Sequence, residues 1–183
     1  MSTFCGHLLV ASPHLADPNF KNTVILMVQH DDQGALGLIL NRPTDKSVKE
    51  VWAQLSKEHC PRSESIYFGG PVPGPLMALH REVTMSDTEV ADGVHLTMQP
   101  EKLEDLITEP STEVSFFVGH AGWSGGQLEG ELEEGGWMTL PAKAELVFCS
   151  WEDLWEDVTK QIGRLMLLPL LEVKHIPEDP SVN

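Results

Sequence analysis

Two aliphatic and β-branched runs, Thr23 to His30 and Leu36 to Asn41, are separated by only the five residues DDQGA. Apolar runs bounded by Asp and Gly have strand grammar, and a connection this short closes a hairpin, whereas a parallel crossover needs a dozen or more residues. The two runs therefore pair antiparallel, which excludes a purely parallel, doubly wound sheet. Further strands are expected at His7 to Ala11, Ser65 to Phe68, Leu76 to Leu79, Val94 to Met98, Val114 to Val118 and Ala144 to Phe148.

Helix signals sit between these strands. Ser47 and Glu50 form an S-x-x-E capping box ahead of Val48, Val51, Trp52 and Leu55, which fall on one helical face. Pro100 opens a second helix carrying Leu103, Leu106 and Ile107, and Pro110 closes it. Ser150 is placed to cap a third, with Trp151, Leu154, Trp155, Val158 and Ile162 on its apolar stripe and Gly163 at its end. Hairpins mixed with separated helices make an α+β fold. A chain of 183 residues with 41% apolar content supports one cored domain, residues 1–176, followed by a frayed tail at 177–183.

Composition restricts the partners. Twenty-eight acidic residues against twelve Lys and Arg give a net charge of −16. The basic residues form no stripe, so direct nucleic-acid binding is not expected, nor is attraction to anionic lipid. The longest apolar run, Leu165 to Leu171, is far short of the roughly 20 residues that span a bilayer, and the start lacks a signal-peptide pattern. Three cysteines with no C-x-x-C pair fit a reducing cytoplasm and neither a disulfide framework nor a zinc site.

The segment GHAGWSGGQLEGELEEGGW, Gly119 to Trp137, follows an apolar run and turns through glycines into a short acidic helix, a place where ligands often sit. Gly122 to Gly126 fits G-x-S-x-G, but the only downstream histidine is His175, next to the tail, and no oxyanion segment lies upstream. Ser124 with Gln127 reads better as an S-x-x-Q capping box. The glycines offer backbone N–H groups to an anion, yet no phosphate-loop signature is complete, and Glu129, Glu131, Glu133 and Glu134 repel one. Eight histidines show neither H-x-H nor H-x-x-x-H spacing, so no metal is assigned. No cofactor and no catalytic residue is assigned either.

The pattern as a whole resembles the AlgH/YqgE family of bacterial proteins over nearly the full length. The blocks are GHLLVASP (Gly6 to Pro13), DPNFKNTVILMVQH (Asp17 to His30), GALGLILNRP (Gly34 to Pro43), YFGGPV (Tyr67 to Val72), Leu79-His80 and GHAGWSGGQLEGEL (Gly119 to Leu132), in that order. The resemblance implies an α+β fold in which a mixed, bifurcated sheet rolls into a pseudo-barrel with peripheral helices. It implies no activity; members are labelled transcriptional regulators on genetic association with alginate production. Relatives commonly place an aromatic residue where His120 stands and glycine where Ser124 stands.

Eight residues of these motifs are candidates for ligand or partner binding: Asn41, Arg42, Gly69, Gly70, His120, Trp123, Gln127 and Glu131. Trp123 is expected to be partly exposed on a connection, and Gln127 and Glu131 to share a helical face. The main reading is a cytoplasmic, non-enzymatic binding or regulatory module whose loops at Asn41, Gly69 and Trp123 converge, acting on a protein partner or a small molecule. Two alternatives stand beside it. One is a small polar-ligand or anion-binding protein, or an enzyme using Arg42, His120 and Glu131. The other is an oligomer with Trp123 and Trp137 in a subunit contact.

Overall fold

The computed structural model describes residues 3–56, 59–109 and 113–172. Its elements run β1 (His7–Ala11), β2 (Val24–Asp31), β3 (Gly34–Ile39), β4 (Pro43–Ser47), α1 (Val48–Leu55), β5 (Ser65–Phe68), β6 (Val72–His80), β7 (Thr88–Ala91), β8 (Val94–Thr97), α2 (Pro100–Thr108), β9 (Val114–Ser124), α3 (Gln127–Glu133), β10 (Trp137–Pro141), α4 (Ala144–Val147) and α5 (Leu154–Glu172), with a 3₁₀ turn at Val83–Met85. The expected tail, Pro110 and His175 lie outside the described residues.

The β2–β3 hairpin pairs antiparallel as its short loop requires, with Ile25 opposite Ile39. The strand order is β10-β1-β2-β3-β9-β6-β8-β7, with β5 also on β9 and β4 on β5. Strand β9 is the branch point. Its second half pairs with β3, its first half pairs antiparallel with β6, and β5 joins that first half in parallel. One long strand thus carries two sheets, which makes the sheet mixed and bifurcated.

The sheet curls until the segment before β1 touches β7. A Cβ on Gly6, before β1, would lie 2.7 Å from the Val90 carbonyl oxygen of β7, so only glycine permits this closure. Val90, Val94 and Leu96 then share the barrel interior with Leu8, Val10, Leu26, Leu38 and Phe117, and α5 adds Leu154, Val158 and Ile162 to the same cluster. Alternation along β1 and β2 sends Leu9, Ala11, Ile25 and Met27 the other way, into a second core with Trp123, Leu128 and Trp137. Both faces of these strands are buried, which is why they read as unbroken apolar runs; each such side chain contributes about 1.5–3 kcal/mol. A third core lies under α1 and α2, where Val48, Trp52, Leu103 and Ile107 cover Ile66, Ala78 and Phe116. The fold is an α+β pseudo-barrel with peripheral helices.

Four expectations are corrected. Ala144 to Phe148 is helix α4, not a strand, because Ala144 and Val147, three apart, bury on one face. The last helix starts at Leu154 rather than after Ser150, since Trp151 turns its indole back to the Val147 carbonyl (3.2 Å). It also runs past Gly163 to Glu172, as a single glycine costs a helix only about 1 kcal/mol while Ile162 stays buried. Strand β9 continues through its glycines to Ser124, so Gly126, in the left-handed region, is the residue that precedes α3. Strands β4, β7 and β10 carry little alternating signal and were not foreseen; β1 pairs β10 over five residues.

Candidate functional site

Where β9 ends and α3 begins, three aromatic rings gather. Phe20 from the β1–β2 loop stacks on Trp123, centroids 6.0 Å apart at 22°, and meets Trp137 of β10 edge-on at 5.7 Å. Trp123 and Trp137 are themselves edge-to-face at 6.0 Å. Aromatic pairs at these separations hold one another by about 0.5–1.5 kcal/mol beyond simple burial. Trp123 is 6% exposed and Trp137 5%. The expected partial exposure of Trp123 is therefore corrected: it lies within β9 on the inward-facing register with Ala121, and not on a loose connection.

Glu131 organises the cluster. Its Oε2 accepts both indole N–H groups, from Trp123 at 3.0 Å and Trp137 at 2.8 Å, while Oε1 accepts the Gln127 amide at 2.9 Å. Gln127 in turn accepts the Ser124 backbone N–H (3.1 Å) and hydroxyl (3.0 Å) through its own oxygen. Half of the expected capping box is thus present, with the glutamine reaching back, but the Ser124 hydroxyl donates and caps no helix N–H. The four-residue spacing of Gln127 and Glu131 places them on one face of α3, as read from the sequence. Helix α3 is further anchored by Glu129, which accepts from His30 Nε2 at 3.0 Å; His30 Nδ1 accepts the Phe4 N–H, which fixes that tautomer.

The result is a cleft of about 300 Å³ bordered by Phe20, Trp123, Trp137 and the carboxylates of Asp17, Glu131 and Glu134. Asp17 and Glu134 are exposed at its rim, and no basic side chain borders it among the described residues. Aromatic walls with acidic groups at the mouth suit a cationic guest.

Arg42 and Asn41 act on this cleft from behind. The Arg42 guanidinium donates to the carbonyls of Asn19 (2.5 Å), Pro18 (3.2 Å) and Lys21 (3.3 Å), and Asn41 bridges the Asn22 carbonyl (2.9 Å) and the Val24 N–H (3.0 Å). Both residues thereby hold the loop that presents Phe20. Burial lowers the Arg42 pKa from its ordinary value, and the Asp17 charge pulls it partly back. Asn41 itself lines a different, larger cleft of about 670 Å³, with Tyr67, Glu64, Glu113, Cys149 and Trp151. There burial, aided by Glu64, pushes the Tyr67 hydroxyl up to about 12, and burial also raises the Cys149 thiol, which donates to the Leu146 carbonyl (3.2 Å). That thiol is kept protonated and is a poor nucleophile.

Gly69 and Gly70 line neither cleft. They run against Gly119 and His120: Gly69 N–H donates to the Val118 carbonyl (2.9 Å), and at Gly70, with φ +151°, a Cβ would overlap the His120 backbone. These glycines let two chain segments touch. His120 sits on the outward register of β9, opposite to Trp123, with its ring against Gly74 and Gly122. Among the eight candidates the structure therefore brings Trp123, Gln127 and Glu131 together, ties Arg42 and Asn41 to them through the Phe20 loop, and leaves Gly69, Gly70 and His120 elsewhere. Arg42 and His120 do not line the cleft that holds Glu131, so the constellation required by the enzyme reading is not assembled. Sequence reasoning missed Asp17 and Phe20; the turn formers Asp17, Pro18 and Asn19 mark a loop, but nothing local says where that loop's aromatic ring docks. Among the described residues no cluster of three or more His, Cys, Asp or Glu could hold a metal ion, and no helix is long and apolar enough to cross a membrane.

Comparison with known proteins gives a consistent answer. The AlgH-like family model, DUF179, matches residues 8–166. The UPF0301 protein CT0663 of Chlorobaculum tepidum is 38% identical over 185 residues, covering 97% of this chain and 95% of that protein. The UPF0301 protein Smlt1098 of Stenotrophomonas maltophilia is 36% identical over 170 residues, covering 88% and 90%. The solution structure of the AlgH protein from Pseudomonas aeruginosa superposes with a TM-score of 0.73 at 32% identity, covering 94% of this chain and 95% of that one. The crystal structure of DIP2367 from Corynebacterium diphtheriae gives 0.71 at 26% identity, covering 88% and 87%.

Proposed function

The chain belongs to the AlgH-like family, and on that footing we propose that it is a cytoplasmic binding module that regulates through a basic protein partner rather than by chemistry on a substrate. The observation that carries the reading is the three-ring cleft of Phe20, Trp123 and Trp137 with Asp17, Glu131 and Glu134 around it. Rings present a negative face to a cation, and an arginine side chain, planar and weakly hydrated, stacks on them better than lysine does. The carboxylates add charge complementarity, with no competing cation among the described residues of the lining. The net charge of −16 extends the same preference over the whole surface, steering basic partners in and phosphate backbones away. Three free cysteines support the reducing compartment.

Calorimetric titration with acetyl-Gly-Arg-Gly-amide and its citrulline counterpart tests this. The two differ only in the charged group. The arginine peptide is expected to bind at least about tenfold more tightly at low salt, to weaken as salt is raised, and to weaken in an Asp17→Asn/Glu134→Gln double variant, whose changes lie at the exposed rim. Equal binding of the two peptides, or an unaffected double variant, refutes the reading.

A further inference from the structure

The cleft of about 670 Å³ that Tyr67 and Trp151 line shares no residue with the Trp123 cleft. Strand register sets its floor. Tyr67 of β5 lies beside Phe117 of β9 in the parallel pair, and alternation carries Ser65 and Ser115, two positions earlier on each strand, to the same face. The two serines are neighbours there, about 5 Å apart across the strands, and the tyrosine stands about 7 Å further along.

All three residues line the cleft, and none of their hydroxyls has a hydrogen-bond partner among the described residues, although each can donate and accept. Ser115 is only 9% exposed, and the surface it keeps opens on this cleft; the fully enclosed unpaired side-chain atoms are those of Trp52 and Thr159. Buried polar groups are almost always paired, so an unpaired hydroxyl at the floor of a cleft marks a place where a ligand completes the pairing. Trp151, half-buried and edge-on to Tyr67, adds a flat apolar wall; its N–H is taken by the Val147 carbonyl (3.2 Å), so it offers a ring and not a donor. Glu64, Glu113 and Glu152 are exposed at the rim with no basic side chain in the lining among the described residues, which disfavours an anion. Two of these carboxylates are already matched, Glu64 by Arg62 (3.0 Å) and Glu113 by Arg81 (2.6 Å), so little charge is left for a cation while their oxygens still accept O–H groups.

We infer that this cleft is a second binding site, for a neutral sugar of one or two rings. Sugar hydroxyls donate and accept at short spacing, as the free hydroxyls of Ser65, Ser115 and Tyr67 require; the C–H face of the ring lies on Trp151, and the rim carboxylates accept the outer hydroxyls. A cavity of about 150 Å³ holds benzene, so this cleft takes about twenty-five heavy atoms, roughly two sugar rings.

The methyl glycosides of glucose, galactose, mannose and N-acetylglucosamine, together with maltose, cellobiose and lactose, are each titrated into the full chain, beside glucuronate as an anion and spermidine as a cation. The Trp151 indole N–H and the backbone amides of Ser65, Tyr67 and Ser115 are followed by NMR. At least one neutral sugar is expected to shift this set to saturation by about 20 mM, to leave the Trp123 and Trp137 indoles unmoved, and to bind about fivefold or more tightly than either charged probe. Ser115→Ala and Tyr67→Phe each remove one hydrogen bond and lower that affinity about three- to tenfold. No neutral sugar moving the set by about 20 mM, a charged probe binding most tightly, or full affinity in both variants overturns the inference; the comparison of probes on the wild-type chain decides it even if a variant fails to fold.

Discussion

Replacing Glu131 with alanine is the sharpest probe of how the aromatic cluster is held. The carboxylate accepts from Trp123 and Trp137, both almost fully buried, so its removal strands two indole N–H groups at once. Each buried donor left unpaired costs about 1–3 kcal/mol. Two effects reduce the total: Glu131 is half-buried, so water reaches part of the vacated space, and alanine favours the helix by a few tenths of a kcal/mol. The net loss is about 2–4 kcal/mol, equivalent to a fall of roughly 5–10 °C in Tm for a chain of this size. Glu131→Gln keeps an oxygen that can accept both indoles while losing the charge, and should cost about 1 kcal/mol. Urea unfolding followed by circular dichroism gives both values from the shift in midpoint at constant slope. The reasoning is refuted if Glu131→Ala stays within about 0.5 kcal/mol of wild type, or if the glutamine variant is as unstable as the alanine one.

Three further outcomes follow from the geometry. Burial, with the neighbouring His95, lowers the His80 pKa to about 4, and Nε2 donates to the Thr97 hydroxyl (2.9 Å) while Nδ1 accepts the Glu82 N–H (3.2 Å). The unfolded state then binds the extra proton first, so stability is full above the unfolded pKa of about 6.5 and is lost as pH falls towards 4, by up to about 3 kcal/mol; urea midpoints at pH 7.5 and 5 measure the slope, which His80→Gln should flatten. Gly70→Ala should cost at least about 3 kcal/mol because its Cβ meets the His120 backbone, whereas Gly130→Ala, in α3 with open space around it, should stabilise by about 0.5–1 kcal/mol; thermal melts distinguish the two. Arg42→Lys keeps the charge but not the fork that reaches three carbonyls, so hydrogen exchange at the amides of Asn19, Phe20 and Lys21 should accelerate with a global loss of only about 1 kcal/mol.

The hairpin, the first two helices and most of the strands were legible because local rules decide them: a five-residue loop, a capping box, a proline at a helix start. The capping box at Ser47 and Glu50 is present in full. Strand β10 was not legible, since Trp137 to Pro141 alternates weakly and is a strand only because β1 offers it five partners. Helix α4 was misread because four residues carry too little periodicity to separate helix from strand. At the site, the i, i+4 pairing of Gln127 and Glu131 could be read along the chain, while the docking of Phe20, from more than a hundred residues away, is purely tertiary. Trp123 was misjudged because its place between Gly122 and Ser124 suggested a connection; both are instead tolerated within a strand paired to β3.

The most direct test of the binding claim follows the five indole N–H resonances by NMR as acetyl-Gly-Arg-Gly-amide is added to the full chain. The account predicts that Trp123 and Trp137 shift together and saturate, while Trp52, Trp151 and Trp155 stay in place, and that the citrulline peptide leaves all five unmoved. Saturable shifts confined to other tryptophans, or no shift at Trp123 and Trp137 at any concentration reached, would contradict it.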